Sequence, residues 1–280
     1  MAGFQFPGLT YKIQNDRLDY FDAAGLPLAG KALYDKVLAE TGPDVVMSFS
    51  GGKDSLAAWL ALREDGRFRI HPYYLFWVPG LSWTERLVSY YEEFFDCHIM
   101  RLPHPYLYEM LDRAAFQPPQ RVAAINAADL PTFDFSDIDN IVADRYQLRE
   151  PFCAIGMRAA DNLERRRMIL QQGSLGEGKR RYFYPIWDWK IADVINIILR
   201  YKVKLSPEYA IWGRTPVALD YQYMKPLRDA YPEDFETVRQ WFPLIDLEFF
   251  NTLKIAIKSV LNAWTKPIRK PITTLFLTVK

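Results

Sequence analysis

The sequence is short of almost everything that would mark a disulfide-stapled, metal-stapled or membrane-embedded chain. Only two of its 280 residues are cysteine, Cys97 and Cys153. Two thiols build no disulfide framework, and by themselves they supply neither the four thiolates of a structural zinc nor those of an iron–sulfur cluster, so neither group is expected. The three histidines, His71, His98 and His104, show no metal-ligand spacing. No run of about 18 apolar residues occurs, so a membrane-spanning helix is not expected. The opening stretch, MAGFQFPGLTYKIQNDRLDYF, has neither the basic start nor the continuous apolar segment of a secretory signal. These absences predict a reducing cytoplasm and no membrane partner. Internal repeats and low-complexity tracts are also missing.

What is there is a globular balance, 50% hydrophobic and 25% charged. A chain of this length buries roughly 75% of its unfolded surface. Its net charge is +1, but unevenly spread: from residue 251 on, Lys254, Lys258, Lys266, Arg269, Lys270 and Lys280 face no acidic residue. Removing those six from the 35 basic residues leaves 29 against 34 acidic ones in the first 250. A neutral-to-acidic body with a basic end is expected either to carry an interaction segment for a nucleic acid or a protein, or to end in a solvated helix face. Oligomeric state is not legible.

Residues 1–30, punctuated by Gly and Pro, read as an irregular arm. A helix is expected over 30–41, stopped by Gly42-Pro43. DVVMSFS (44–50) reads as a buried parallel strand. SLAAWLALREDG (55–66) has a helical apolar face opened by Ser55 and closed by Gly66. A second strand over 69–78, a helix over 83–95 and a third strand over 97–105 follow. Strand–helix–strand–helix–strand in this order predicts an α/β fold with a doubly wound parallel sheet. Residues 117–140, with Pro, Asn and Asp, predict a loop or lid with short helices. CAIGMRAADNLERRRMILQQG (153–173) is expected to start as a strand and turn helical near Ala159. GEGKRRYFYPIW (176–187) reads as a basic hairpin or loop, 189–203 as a helix, and 233–242 as a last helical piece. The amphipathic stretch 250–264 suits a cap or a docking helix in a helical C-terminal extension.

The chemistry concentrates in Ser50-Gly51-Gly52-Lys53-Asp54-Ser55, between the first strand and its helix. Two glycines let the backbone turn sharply and approach a bulky anion with exposed N–H groups. The following helix aims its positive end at the same place. Lys53 adds a full charge, and Ser50 and Ser55 add hydroxyls. Asp54 beside an anion asks for a cation, so Mg²⁺ is the expected companion and Asp54 its expected ligand. The spacing is not G-x-x-x-x-G-K-[ST], so γ-phosphate transfer is not implied. Other candidates are weaker. Cys97 and Cys153 read as small buried residues, with no adjacent histidine to activate either. His104, at a strand end, stands where ligands gather in α/β sheets. Trp77, Trp83 and Trp187 suit either core packing or stacking on a base.

The hexapeptide SGGKDS after a first strand resembles the PP-loop ATP pyrophosphatase superfamily, and within it the phosphoadenylylsulfate reductase-like branch, of adenine nucleotide alpha hydrolase-like, Rossmann-like fold. Gly156-Met157-Arg158-Ala159-Ala160-Asp161 with Arg165-Arg166 is similar to the branch's G-x-R…E-x-x-x-R element, whose arginines meet phosphate or sulfate. Tyr184-Pro185-Ile186-Trp187-Asp188-Trp189 with Asp193-Val194 looks like its P-I-x-x-W-x-x-x-D-V-W signature. Arg101-Leu102-Pro103-His104-Pro105 sits where the branch has a basic or polar strand end. The resemblance spans roughly 35–245 and implies a PP-loop nucleotide-binding domain over 31–245, with the arm before it and a basic extension over 246–280. It implies an enzyme using ATP and Mg²⁺, cleaving between the α- and β-phosphates to adenylate an acceptor and release pyrophosphate. Lys53, Asp54 and Arg158 would be catalytic, and Ser50, Gly51, Gly52, Ser55, Gly156 and Arg165 would join them in holding the adenine nucleotide. Lys179, Arg180 and Arg181 would form a basic loop closing over the site.

The departures are specific. The reductases' C-terminal cysteine motif is missing, since no cysteine follows Cys153. Tyr221 and Tyr223 stand in the region where related members place a C-x-x-C element. Phe76-Trp77-Val78-Pro79-Gly80 replaces an Asp-Thr-Gly-like turn. Adenylation of a nucleotide or nucleic acid is therefore expected first, with sulfonucleotide binding or reduction and a non-enzymatic nucleotide-binding partner as alternatives.

Overall fold

The computed structural model describes residues 3–6, 9–12, 19–206, 208–212 and 219–250. In chain order these form a hairpin of β1 (Gly3–Phe6) and β2 (Leu9–Lys12), then α1 (Gly30–Thr41), β3 (Asp44–Ser48), α2 (Lys53–Asp65), β4 (Arg69–Phe76), α3 (Ser82–Phe95) and β5 (Met100–Pro103). There follow α4 (Pro105–Asp112), α5 (Pro119–Ala128), α6 (Phe135–Tyr146), β6 (Cys153–Ile155), α7 (Leu163–Gln172), β7 (Leu175–Gly176) and β8 (Tyr182–Phe183). The last described elements are α8 (Ile191–Tyr201), α9 (Glu208–Trp212), α10 (Tyr221–Ala230) and α11 (Pro232–Trp241).

The main sheet runs β5-β4-β3-β6-β8-β7, parallel except for the last pair, which is antiparallel. The chain winds outward from β3 through β4 to β5, then returns to place β6 on the other side of β3. That reversal is a topological switch point, where the loops leaving β3 and β6 diverge and open a crevice. The fold is the α/β, Rossmann-like architecture expected. Successive residues of β3 face opposite ways: Val45 and Met47 join the larger core under α2 and α8, and Val46 joins a smaller core with Tyr73, Cys153, Ile138 and Val142 under α6. A strand buried on both faces explains why DVVMS reads as a continuous apolar run.

Several elements differ from expectation. The arm over 1–30 is not wholly irregular: it holds the β1–β2 hairpin, and Tyr20 and Phe21 are buried in the larger core. Residues 117–140 fold into α5 and the first half of α6, and α6 is a 12-residue helix closed at its start by a capping box between Asp134 and Asp137. The helix after β6 begins at Leu163 rather than Ala159, because Asn162 caps it by accepting from Arg165 N–H. Pro105, read as ending a strand, opens α4 at its first turn with His104 as cap. The basic residues beyond 250, and with them the 250–264 stretch from 251 on, lie outside the described residues. No helix among the described residues is long and apolar enough to cross a membrane.

Candidate active site

The phosphate-type loop leaves β3 through Phe49 and Ser50 and enters α2 at Lys53. Gly51 has φ of +72°, the left-handed region that glycine tolerates, and a side chain there would press on Leu87 at 3.0 Å. Gly52 caps α2 without any side-chain bond to the first turn. The loop is braced from within: Gly52 N–H donates to Ser50 Oγ (3.3 Å), Ser50 N–H donates to Ser55 Oγ (3.3 Å), and Ser55 Oγ donates to Gly52 O (2.9 Å). Ser50 and Ser55 thus shape the cradle. Lys53 N–H points outward and donates to the Tyr209 hydroxyl of α9 at 2.8 Å. An oxygen therefore already sits on a helix N-terminus built to hold one.

The return strand completes the site. Just past β6, Gly156 lies so close to α2 that a Cβ on it would stand 2.5 Å from Ser55 Cα and N. Only glycine fits there. Two residues on, Arg158 is buried, and its Nε donates to Asp54 Oδ1 at 2.7 Å while Nη2 donates to Asp161 Oδ1 at 2.6 Å. Lys53 Nζ donates to Asp54 Oδ2, and Arg165 Nη1 donates to Asp161 Oδ2 at 2.7 Å. The switch point thus gathers Lys53, Arg158 and Arg165 against Asp54 and Asp161, three cations to two carboxylates. The surplus positive charge faces the positive end of α2, the arrangement that holds a polyanion.

Beside the loop a cavity of about 540 Å³ runs along the strand ends of β3, β4 and β5. Ser50 and Arg165 line it, as do Trp77, Trp83, His104, Tyr106, Phe135 and Tyr223. Trp77 stacks on His104, with centroids 4.5 Å apart and planes 16° apart. Burial pulls His104 down to about 4, so the ring is neutral near pH 7. Its Nδ1 accepts from Tyr106 N–H at 3.2 Å, which leaves the ring proton on Nε2. The volume suits a mononucleotide-sized ligand.

The structure brings Ser50, Gly51, Gly52, Lys53, Asp54, Ser55, Gly156, Arg158 and Arg165 together, and leaves other candidates elsewhere. Both carboxylate oxygens of Asp54, the expected Mg²⁺ ligand, accept from cations in this structure, Oδ1 from Arg158 Nε and Oδ2 from Lys53 Nζ. Among the described residues no three His, Cys, Asp or Glu side chains converge on one point. Lys179, Arg180 and Arg181 do not line the loop cavity; they pair with Asp134, with Asp139, and with Glu40 and Glu177 respectively. Arg101 is tied to Glu85 and Glu92, and Arg101 in turn holds the Glu92 carboxyl down to about 2. Trp187 donates its indole N–H to Leu28 O at 2.9 Å and is core. Burial pushes the Cys153 thiol up to about 12 and Cys97 to about 11, so neither is a ready nucleophile. Tyr209, Tyr106, Phe135 and Asp161 were missed as neighbours of the loop. Only Asp161 was in reach of pattern reasoning, spaced i, i+3 and i, i+4 from Arg158 and Arg165.

No protein-family model matches the chain, and no curated protein matches it in sequence. Among solved structures it is similar to the U34-tRNA thiolase NcsA from Methanococcus maripaludis, solved with its [4Fe-4S] cluster. The identity is 17%, the alignment covers 75% of this chain and 74% of that one, and the TM-score is 0.42. At that similarity nothing of the thiolase's activity or cluster passes to this chain.

Proposed function

We propose that this chain is an ATP-dependent PP-loop enzyme that cleaves the α–β phosphate bond, adenylating an acceptor in nucleotide or nucleic-acid modification. The supporting observation is the cationic surplus of Lys53, Arg158 and Arg165 beside the glycine-capped start of α2, at the edge of a 540 Å³ cavity. In the reaction an acceptor oxygen attacks the α-phosphorus. The bond from that phosphorus to the bridging oxygen breaks, and its electron pair leaves on pyrophosphate. Lys53 Nζ receives the charge that develops on the leaving group, and Arg165, on the cavity wall, is assigned to the α-phosphate. Arg158, tied to Asp54 and Asp161, orients the loop from behind. Mg²⁺ would come with the incoming nucleotide, beside Asp54 and its partners Arg158 and Lys53.

Calorimetric titration with Mg-ATP, AMP, adenylylsulfate and phosphoadenylylsulfate tests this reading. Mg-ATP is expected to bind tightest, and Lys53→Ala to weaken it about 30-fold, the worth of a charge-assisted contact to phosphate. Tighter binding of a sulfonucleotide, or indifference to Lys53→Ala, would overturn it.

A further inference from the structure

A second cavity, of about 370 Å³, lies between α4 and residues 130–135, the stretch that joins α5 to α6. It shares Tyr106 and Phe135 with the loop cavity as common wall. The proposed reaction makes no use of it. Tyr108 of α4 meets Phe133 edge to face, with centroids 4.8 Å apart and planes 72° apart. Tyr106 and Phe135 form a second pair of the same kind, 6.5 Å apart and at 76°. Tyr106 is 48% exposed and so open to a ligand. Rings set so steeply to one another cannot both stack on one flat ligand. They enclose a compact one.

Glu109, Asp112 and Asp134 also line this cavity, with Arg113 as its one cation. Arg113 pairs with Glu109 at 2.8 Å, and Lys179 pairs with Asp134. Asp112 is exposed, and its carboxylate has no partner among the described residues. It follows Tyr108 at i, i+4, so ring and charge share one side of α4. The count is the reverse of that at the loop, where a cation is left over. A phosphate would meet like charge here, whereas a cation gains from both the free carboxylate and the ring faces. We propose that this second cavity binds an organic ammonium ion, a protonated or quaternary alkylamine. The assignment goes beyond the ATP reading and holds without it.

The test titrates the full chain with choline and with its neutral isostere 3,3-dimethylbutan-1-ol, read by calorimetry and by backbone amide shifts. Choline is expected to bind about tenfold more tightly than the alcohol, and to move the amides of Tyr108, Asp112 and Phe133. Asp112→Asn, a surface change that leaves packing alone, should weaken choline about threefold and leave the alcohol unchanged. Tyr108→Leu should bring the two ligands to within about twofold of each other. No nucleotide enters these titrations, so they succeed or fail separately from Lys53-dependent ATP binding. Equal binding of choline and the alcohol to the wild type would mark a cavity indifferent to charge and overturn the inference. So would absence of choline binding, or choline shifts at Ser50 and Arg165 in place of those on α4. If adenosine moved the α4 amides and choline did not, the cavity would belong to a base and the inference would fall.

Discussion

Two arginines, Arg158 and Arg180, each bond an aspartate through Nε, yet they sit in opposite electrostatic situations. Arg180 lies under the smaller core, where Nε meets Asp139 Oδ2 at 2.5 Å and Nη2 reaches the Tyr73 hydroxyl at 3.1 Å and Cys153 Sγ at 3.3 Å. One cation answers one carboxylate, and burial raises both the Tyr73 hydroxyl and the Cys153 thiol, so those groups stay protonated. Arg158 belongs to a set with a cation left over, beside a glycine-capped helix start and a cavity. A buried arginine by itself marks neither structure nor function. The charge count of its surroundings and the neighbouring free volume decide which.

The comparison can be broken most severely at Gly156. Gly156→Ala places a methyl against the Ser55 backbone and should cost about 3 kcal/mol, because neither β6 nor α2 can yield without losing packing. Chemical denaturation would read that loss, and Mg-ATP binding should disappear with it; a stable variant with intact binding would show that the close approach is dispensable. Arg180→Met strikes the balanced set. It strands Asp139, which is nearly buried, and should cost about 3 kcal/mol of unfolding free energy while leaving Mg-ATP affinity within about twofold. A large loss of affinity without loss of stability would erase the distinction between the two clusters. The smallest effect is expected at Tyr209. Its hydroxyl occupies the Lys53 N–H, so Tyr209→Phe should free that donor and tighten tripolyphosphate about threefold by calorimetry. Weaker binding would make the hydroxyl a ligand contact instead of a placeholder.

Much of this was legible in the chain. The strands β3, β4 and β5 with α2 and α3 between them follow from apolar runs and helical spacing, and β7 and β8 answer to the expected basic hairpin. Legibility failed where proline or polar residues have two meanings. Pro105 looks like a strand stop but opens a helix, and Pro226 lies inside α10, a helix that a breaker argues against. Asp134 and Asp137 read as loop residues although their spacing caps α6. The local character of those signals is the same; only packing on the sheet tells a cap from a turn.

By itself the sequence determined a glycine turn of the kind that suits an anion. A β-branched run, two glycines, a lysine and a following helix are all local, and they fix a sharp turn into a helix N-terminus before any tertiary contact is made. It also determined that arginines from the Gly156 region were candidates. Which carboxylates those arginines meet was decided by tertiary structure. Arg158 reaches Asp54 across 104 positions and Tyr209 reaches Lys53 across 156, because the strand order puts β6 next to β3 and brings α9 over the loop. Asp54 therefore became a partner of Arg158 as well as of its neighbour Lys53. Trp83, one aromatic among many in the sequence, became a buried residue whose indole N–H has no partner among the described residues. Local pattern sets what a segment can offer; the winding of the sheet sets what it is offered to.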